Sequence, residues 1–124
     1  MMKLLLVDDD AFLRDMYATK FTECKHVVDV AESPAQALMK LQKDQSFDVI
    51  LLDMVMPGMT GVQLMETISE TFPDMKARFI VLSNQGQNED ITEAMNAGAL
   101  GYIIKAESIP SDVVKKVESL ASKK

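Results

Sequence analysis

The sequence predicts an α/β fold, five strand–helix units on one parallel sheet with helices on both faces. Two observations carry this. Five apolar runs recur along the 124 residues, at 4–7, 27–31, 47–52, 79–82 and 101–104. Each is followed by a segment whose apolar residues return with helical spacing. Strict strand–helix alternation implies parallel strands joined by right-handed crossovers.

The first run ends in Asp8, Asp9 and Asp10, and Asp10 can cap a helix over 11–22 with Leu13, Met16, Tyr17 and Phe21 on one face. The second run alternates and carries Asp29, which suits a sheet edge. Ser33 with Pro34 supplies the cap and first turn of a helix over 34–43, with Leu38 and Leu41 inward. The third run is continuous and apolar, a strand buried on both faces, and it delivers Asp53 to its carboxyl end. Pro57-Gly58 makes a turn. Thr60 can cap the next helix, where Leu64, Met65, Ile68 and Phe72 have helical spacing. The fourth run leads to Ser83. Asn88, with Glu89 and Asp90 in the first turn, opens a helix ending at Gly98, where left-handed backbone costs little. The fifth run leads to Lys105. Pro110 then starts a helix in which Val113, Val114, Val117, Leu120 and Ala121 form the cleanest amphipathic pattern in the chain, and Lys123 and Lys124 suit its C-terminal dipole. No segment is left over, so residues 1–124 are expected to form one domain.

Composition narrows the class. Hydrophobic residues make up 48% and charged residues 26%, the balance of a soluble globular protein. No apolar run approaches the ~20 residues needed to cross a bilayer, and MMKLLLVDDD lacks the pattern of a signal peptide. A cytoplasmic protein without membrane contact is expected. A net charge of -6 gives no general affinity for nucleic acid. One cysteine, Cys24, permits no internal disulfide. The 10 methionines point to packing rather than metal or redox chemistry. His26, before the second strand, is expected at the surface and away from any site.

With the second strand at an edge, the favoured sheet order is 2-1-3-4-5, the flavodoxin-like arrangement. Ligands in open α/β sheets bind beyond the carboxyl ends of the strands at the switch point, here between strands 1 and 3. That edge gathers Asp8 and Asp9 from strand 1, Asp53 from strand 3, Ser83 from strand 4 and Lys105 from strand 5. Three carboxylates in one crevice repel. At ~4 Å and an effective dielectric of about 20, each adjacent pair costs roughly 4 kcal/mol. A doubly charged cation plus one lysine balances them. Mg2+ fits because it takes oxygen ligands, binds through one or two carboxylates and accepts phosphate oxygens as well. Asp53 then becomes a plausible nucleophile for an acyl phosphate, with Lys105 stabilising the spread charge.

Each feature alone has a plain explanation: acidic triplets cap helices, strand-end serines bond locally, and single lysines are mostly solvated. Their convergence on one sheet edge is the informative observation. The segments LLLVDDD at 4–10, VILLDMVMPGMTG at 49–61, FIVLSN at 79–84 and AGALGYIIKA at 97–106 resemble the receiver domain of two-component response regulators, over essentially the whole chain. The resemblance implies a signalling domain that catalyses its own phosphorylation and slow dephosphorylation. Asp53 would be the phosphoacceptor and Asp9 a direct Mg2+ ligand, with Asp8 acting through a metal-bound water and the Val55 backbone carbonyl completing the protein's ligands. Ser83 would be the switch hydroxyl, Tyr102 the aromatic switch and Lys105 the phosphate-contacting lysine. Two positions depart from the pattern. Ala106 follows Lys105 where the family has a proline in a cis peptide, and cis before a non-proline costs about 3–4 kcal/mol. Asn84 stands where a small residue is usual.

The resemblance also implies partners. A histidine kinase or phosphotransfer protein would approach over the first helix, near Leu13, Arg14 and Met16. A downstream protein, or a second copy, would meet the face of helix 4, strand 5 and helix 5, where Ile91, Met95 and Lys116 surround Tyr102. Other chemistries fit poorly. A haloacid-dehalogenase-type phosphatase needs a second acid at position 55, which is Val55. A flavin site needs a hydroxyl- and glycine-rich loop where three acids stand. No P-loop or Gly-x-Gly-x-x-Gly motif is present. The alternative of a different class is a pseudo-receiver, the same fold used for docking without phosphorylation.

Overall fold

The computed structural model describes residues 2–84, 88–105 and 109–122. In chain order the elements are β1 (Lys3–Val7), α1 (Ala11–Glu23), β2 (Val27–Ala31), α2 (Pro34–Lys43), β3 (Val49–Leu52), β4 (Val55–Met56), β5 (Met59–Thr60), α3 (Gly61–Thr71), β6 (Arg78–Ser83), α4 (Asn88–Asn96), β7 (Gly101–Ile104) and α5 (Pro110–Ala121). The main sheet is parallel in the order β2-β1-β3-β6-β7. This is the flavodoxin-like order, with β6 and β7 as the predicted fourth and fifth strands.

Alternation along the strands sorts the core into two layers. Leu5, Val7, Ile50, Leu52 and Val81 pack with Leu41 of α2, Met65 of α3 and Ala94 of α4. Leu4, Leu6, Leu51, Ile80 and Ile103 pack with Phe21 of α1 and Val117 of α5. Every side chain of β3 is buried, as its unbroken apolar run requires.

The predicted caps form. Asp10 accepts from the Leu13 N–H, Ser33 from Gln36, and Thr60 makes a reciprocal capping box with Gln63. Gly98, beyond α4, has φ +106. The expected helix charges Lys123 and Lys124, and the peptide between Lys105 and Ala106, lie outside the described residues. Among the described residues, no helix is long and apolar enough to cross a membrane.

The expected turn at Pro57-Gly58 forms, within a feature the sequence did not reveal, and one expectation needs correction. Residues 54–60 are more than a turn: β4 and β5 pair as a small antiparallel hairpin, with Gly58 at φ +85 in its tip. A left-handed tip residue is what a tight Pro-Gly turn provides. His26 is not a surface residue, being only 8% exposed. Its Nδ1 accepts from the Met2 N–H at 3.1 Å, its Nε2 meets Glu118 Oε2 at 2.7 Å, and its ring packs on Phe21. The imidazole is buried because α5 closes over it and satisfies its outer nitrogen.

Candidate functional site

Strand register alone brings the acids together. Val7 of β1 pairs with Leu52 of β3, so Asp8 and Asp53 leave the sheet side by side, one residue later. On the other flank Leu52 pairs with Val81, and Ser83 pairs with Ile104 of β7, which places Lys105 one step beyond. Parity then divides these residues between the faces. Asp8, Asp53 and Lys105 continue the rows facing α1 and α5, whereas Ser83 and Tyr102 continue the rows facing α4.

The polar contacts follow this division. Lys105 Nζ donates to Asp8 Oδ2 at 2.8 Å and to Asp53 Oδ2 at 3.2 Å, and its side chain is only 4% exposed. Asp8 is buried, and its other oxygen accepts from the Asp10 N–H at 3.0 Å. Asp53 Oδ1 accepts from the Val55 N–H at 3.3 Å. Ligand atoms of Asp8, Asp9 and Asp53 all lie within 4.8 Å of one another. Three carboxylates against one ammonium leave two negative charges, all on oxygen donors. That set fits a hard divalent cation.

Burial by itself would push the Lys105 ammonium below its ordinary 10.5. The Asp8 hydrogen bond and the charges of Asp53 and Asp8 outweigh it, so the net shift is upward. Tyr17, buried beside this group, is raised by desolvation, partly offset by Lys105 and reinforced by Asp8. On the opposite face, the fully buried Ser83 neighbours Tyr102 in the row that faces α4. Tyr102 is raised chiefly by burial, against the lowering influence of the Ser83 hydroxyl, with Asp90 and Asp53 adding to the rise.

Of the residues expected at the site, Asp8, Asp9, Asp53 and Lys105 therefore form one cluster, and Ser83 and Tyr102 stand next to it on the α4 face. Val55 lies on the hairpin with its side chain exposed, and Asn84 is exposed. Asp10 serves as a cap. Phe12 was not anticipated. It is 76% exposed on the first turn of α1 and borders a groove of about 600 Å³ with Met16 and Pro110. Its position off the Leu13, Met16 and Tyr17 stripe is the signal that could have marked it.

The response regulator receiver domain family profile matches residues 4–118. The chain is 36% identical over 104 residues to the chemotaxis protein CheY of Bacillus subtilis, covering 83% of this chain and 84% of that protein. It is 30% identical to CheY of Thermotoga maritima, covering 96% and 97%. It spans 45% of the two-component response regulator PhoP of Pseudomonas aeruginosa, at 33% identity over 84% of this chain. Among solved structures, the Vibrio cholerae chemotaxis protein CheY4 superposes with a TM-score of 0.87 at 28% identity, over 97% of this chain and 98% of that one. Receiver domains are the phosphoacceptor signalling modules of two-component systems. The chain belongs to the response regulator receiver domain family.

Proposed function

We propose that residues 1–124 act as one cytoplasmic receiver domain that takes a phosphoryl group onto Asp53 from a histidine kinase or phosphotransfer protein, in a Mg2+-dependent reaction. The observation that carries this is the shared lysine. One buried ammonium bridges Asp8 and Asp53 while Asp9 stands within 4.8 Å of both.

Asp8, Asp9, Asp53 and the Val55 carbonyl would hold the ion, which supplies charge neutralisation for the transferring group. A carboxylate oxygen of Asp53 attacks phosphorus as the P–N bond of the donor phosphohistidine breaks. The electron pair returns to the imidazole nitrogen, and the ring, protonated on its other nitrogen, leaves neutral. Lys105 is already placed on Asp53 Oδ2, where it stabilises negative charge on the incoming oxygens. The Val55 side chain offers no acid to activate water, so the acyl phosphate persists. Phe12 presents an apolar contact beside the acid loop for the donor protein arriving over α1.

The signal then moves by population shift. A phosphoryl group adds about one further negative charge and strong acceptor oxygens. It draws the Ser83 hydroxyl towards itself and away from the neighbouring Tyr102. Tyr102 responds directly, and the face of α4, β7 and α5 is biased towards binding a protein target or a second copy.

Incubation with Mg2+ and acetyl phosphate, followed by intact-mass measurement, tests the reading. A gain of one phosphoryl mass that is absent from Asp53→Asn is expected. No gain at any Mg2+ concentration would refute it and leave docking without phosphorylation as the use of this fold.

A further inference from the structure

The carboxylates of the acidic cluster are not held equally. Asp8 is fixed through both oxygens, by the Asp10 N–H and by Lys105. Asp53 is fixed by the Val55 N–H and Lys105. Among the described residues, the Asp9 carboxylate has no hydrogen-bond or ion-pair partner, and it is exposed. Whatever sets its direction must act through the backbone.

One side chain does so. Arg14, half-buried in the first turns of α1, donates from Nη1 to the carbonyl oxygen of Asp8 at 2.9 Å. Helical side chains lean towards the helix N-terminus, which is how Arg14 reaches a residue outside its own helix. The peptide joining Asp8 to Asp9 is planar. Holding its oxygen therefore fixes the nitrogen and Cα of Asp9, and the Asp10 N–H bond to Asp8 Oδ1 holds the next peptide, so the backbone that bears the Asp9 carboxylate is restrained on both sides. Arg14 is itself anchored, its N–H bonded to the Asp10 carbonyl at 2.9 Å, while Asp10 caps the same helix. Among the described residues, this guanidinium makes no ion pair.

We propose that Arg14 is a positioning residue for the cation site, acting by clamping the Asp8 carbonyl and so presenting Asp9. The inference rests on the assignment of Mg2+ to Asp8, Asp9 and Asp53. It opposes the simpler electrostatic role, because the two predict opposite signs. As a bare positive charge beside an acidic cluster, Arg14 would weaken cation binding, and its removal would tighten it. As a clamp, its removal weakens binding.

Isothermal titration of the unphosphorylated full chain with Mg2+ alone distinguishes them, with thermal melts run on the same samples. Arg14→Met is expected to weaken Mg2+ binding about tenfold, the scale of losing an orienting partner behind a metal ligand. Arg14→Lys keeps the charge but not the planar fork, and is expected to weaken binding by a smaller factor. Tighter or unchanged binding in Arg14→Met overturns the proposal. If that variant does not fold, Arg14→Lys decides alone: wild-type affinity overturns the clamp and weaker affinity supports it. A wild-type chain that binds no Mg2+ overturns the cation site and the clamp together, whereas wild-type binding matched or exceeded by both variants removes only Arg14.

Discussion

A Cβ placed on Gly61 would stand 2.5 Å from the Asp53 carbonyl oxygen and 3.1 Å from Met54 Cα. Both are backbone atoms that no rotamer change can move aside, so α3 begins in contact with the residue that delivers the site's carboxylate. Gly61→Ala is expected to destabilise the fold by about 1–3 kcal/mol and to slow acetyl phosphate labelling of Asp53. Urea unfolding and mass spectrometry check the two effects, and a variant that is both as stable and as fast as wild type contradicts the argument. Gly101 meets the same 2.5 Å distance, but from Leu120 Cδ1, the end of a side chain that can turn. Substitution there should be milder. At this scale the sequence was informative about Asp8, Asp53 and Lys105, because a strand end in a known register has only one place to go. It was misleading about His26, whose burial depends on Glu118, 92 residues away.

Among the elements, α5 is held by two kinds of contact. Val113, Val114 and Val117 are buried against the sheet, and Glu118 reaches over the carboxyl-distal end to His26. Glu118→Ala would leave a buried imidazole nitrogen without its partner, at a cost of about 1–3 kcal/mol. Asp53 labelling by acetyl phosphate should be unchanged, since this bond lies at the opposite end of the strands from Asp8 and Lys105. Unfolding midpoints and labelling rates of the same preparation test both halves, and slowed labelling would count against that separation. The five helices were legible from apolar spacing joined to a capping side chain at α1, α2 and α3, acids in the first turn of α4 and a proline at the start of α5. The β4–β5 hairpin was not, because two-residue strands are too short to show a period.

For the whole molecule, three groups are displaced in the same direction. Tyr17 and Tyr102 are raised from 10.0 and Lys105 from 10.5. In the unfolded chain these groups lose their protons at ordinary values, while the folded chain retains them to higher pH. The folded state therefore binds more protons across this range, and stability must fall as pH rises. The contribution is complete below the ordinary values and is lost as pH climbs through the raised ones. Urea midpoints are expected to hold to about pH 9 and decline from about pH 10 upward, with a shallower decline in Lys105→Met. A flat alkaline limb would contradict the shifts. The sheet order was legible at this scale from one alternating strand among four uniformly apolar ones. The placement of Ser83 beside Tyr102 was not, since it depends on how two neighbouring strands set their side chains on the α4 face.

The ion pair between Lys105 and Asp8 joins residues 97 positions apart. Closing so long a loop is entropically costly, and contacts of this separation are late rewards in folding. A chain emerging from the ribosome carries Asp8, Asp9 and Asp53 well before it carries Lys105. Until β7 docks, the acids have no ammonium between them, and their mutual repulsion opposes closing the crevice. If Asp53 takes the phosphoryl group as proposed, that capacity arrives with the completion of the sheet, and a truncated or half-folded copy would be silent rather than wrongly active.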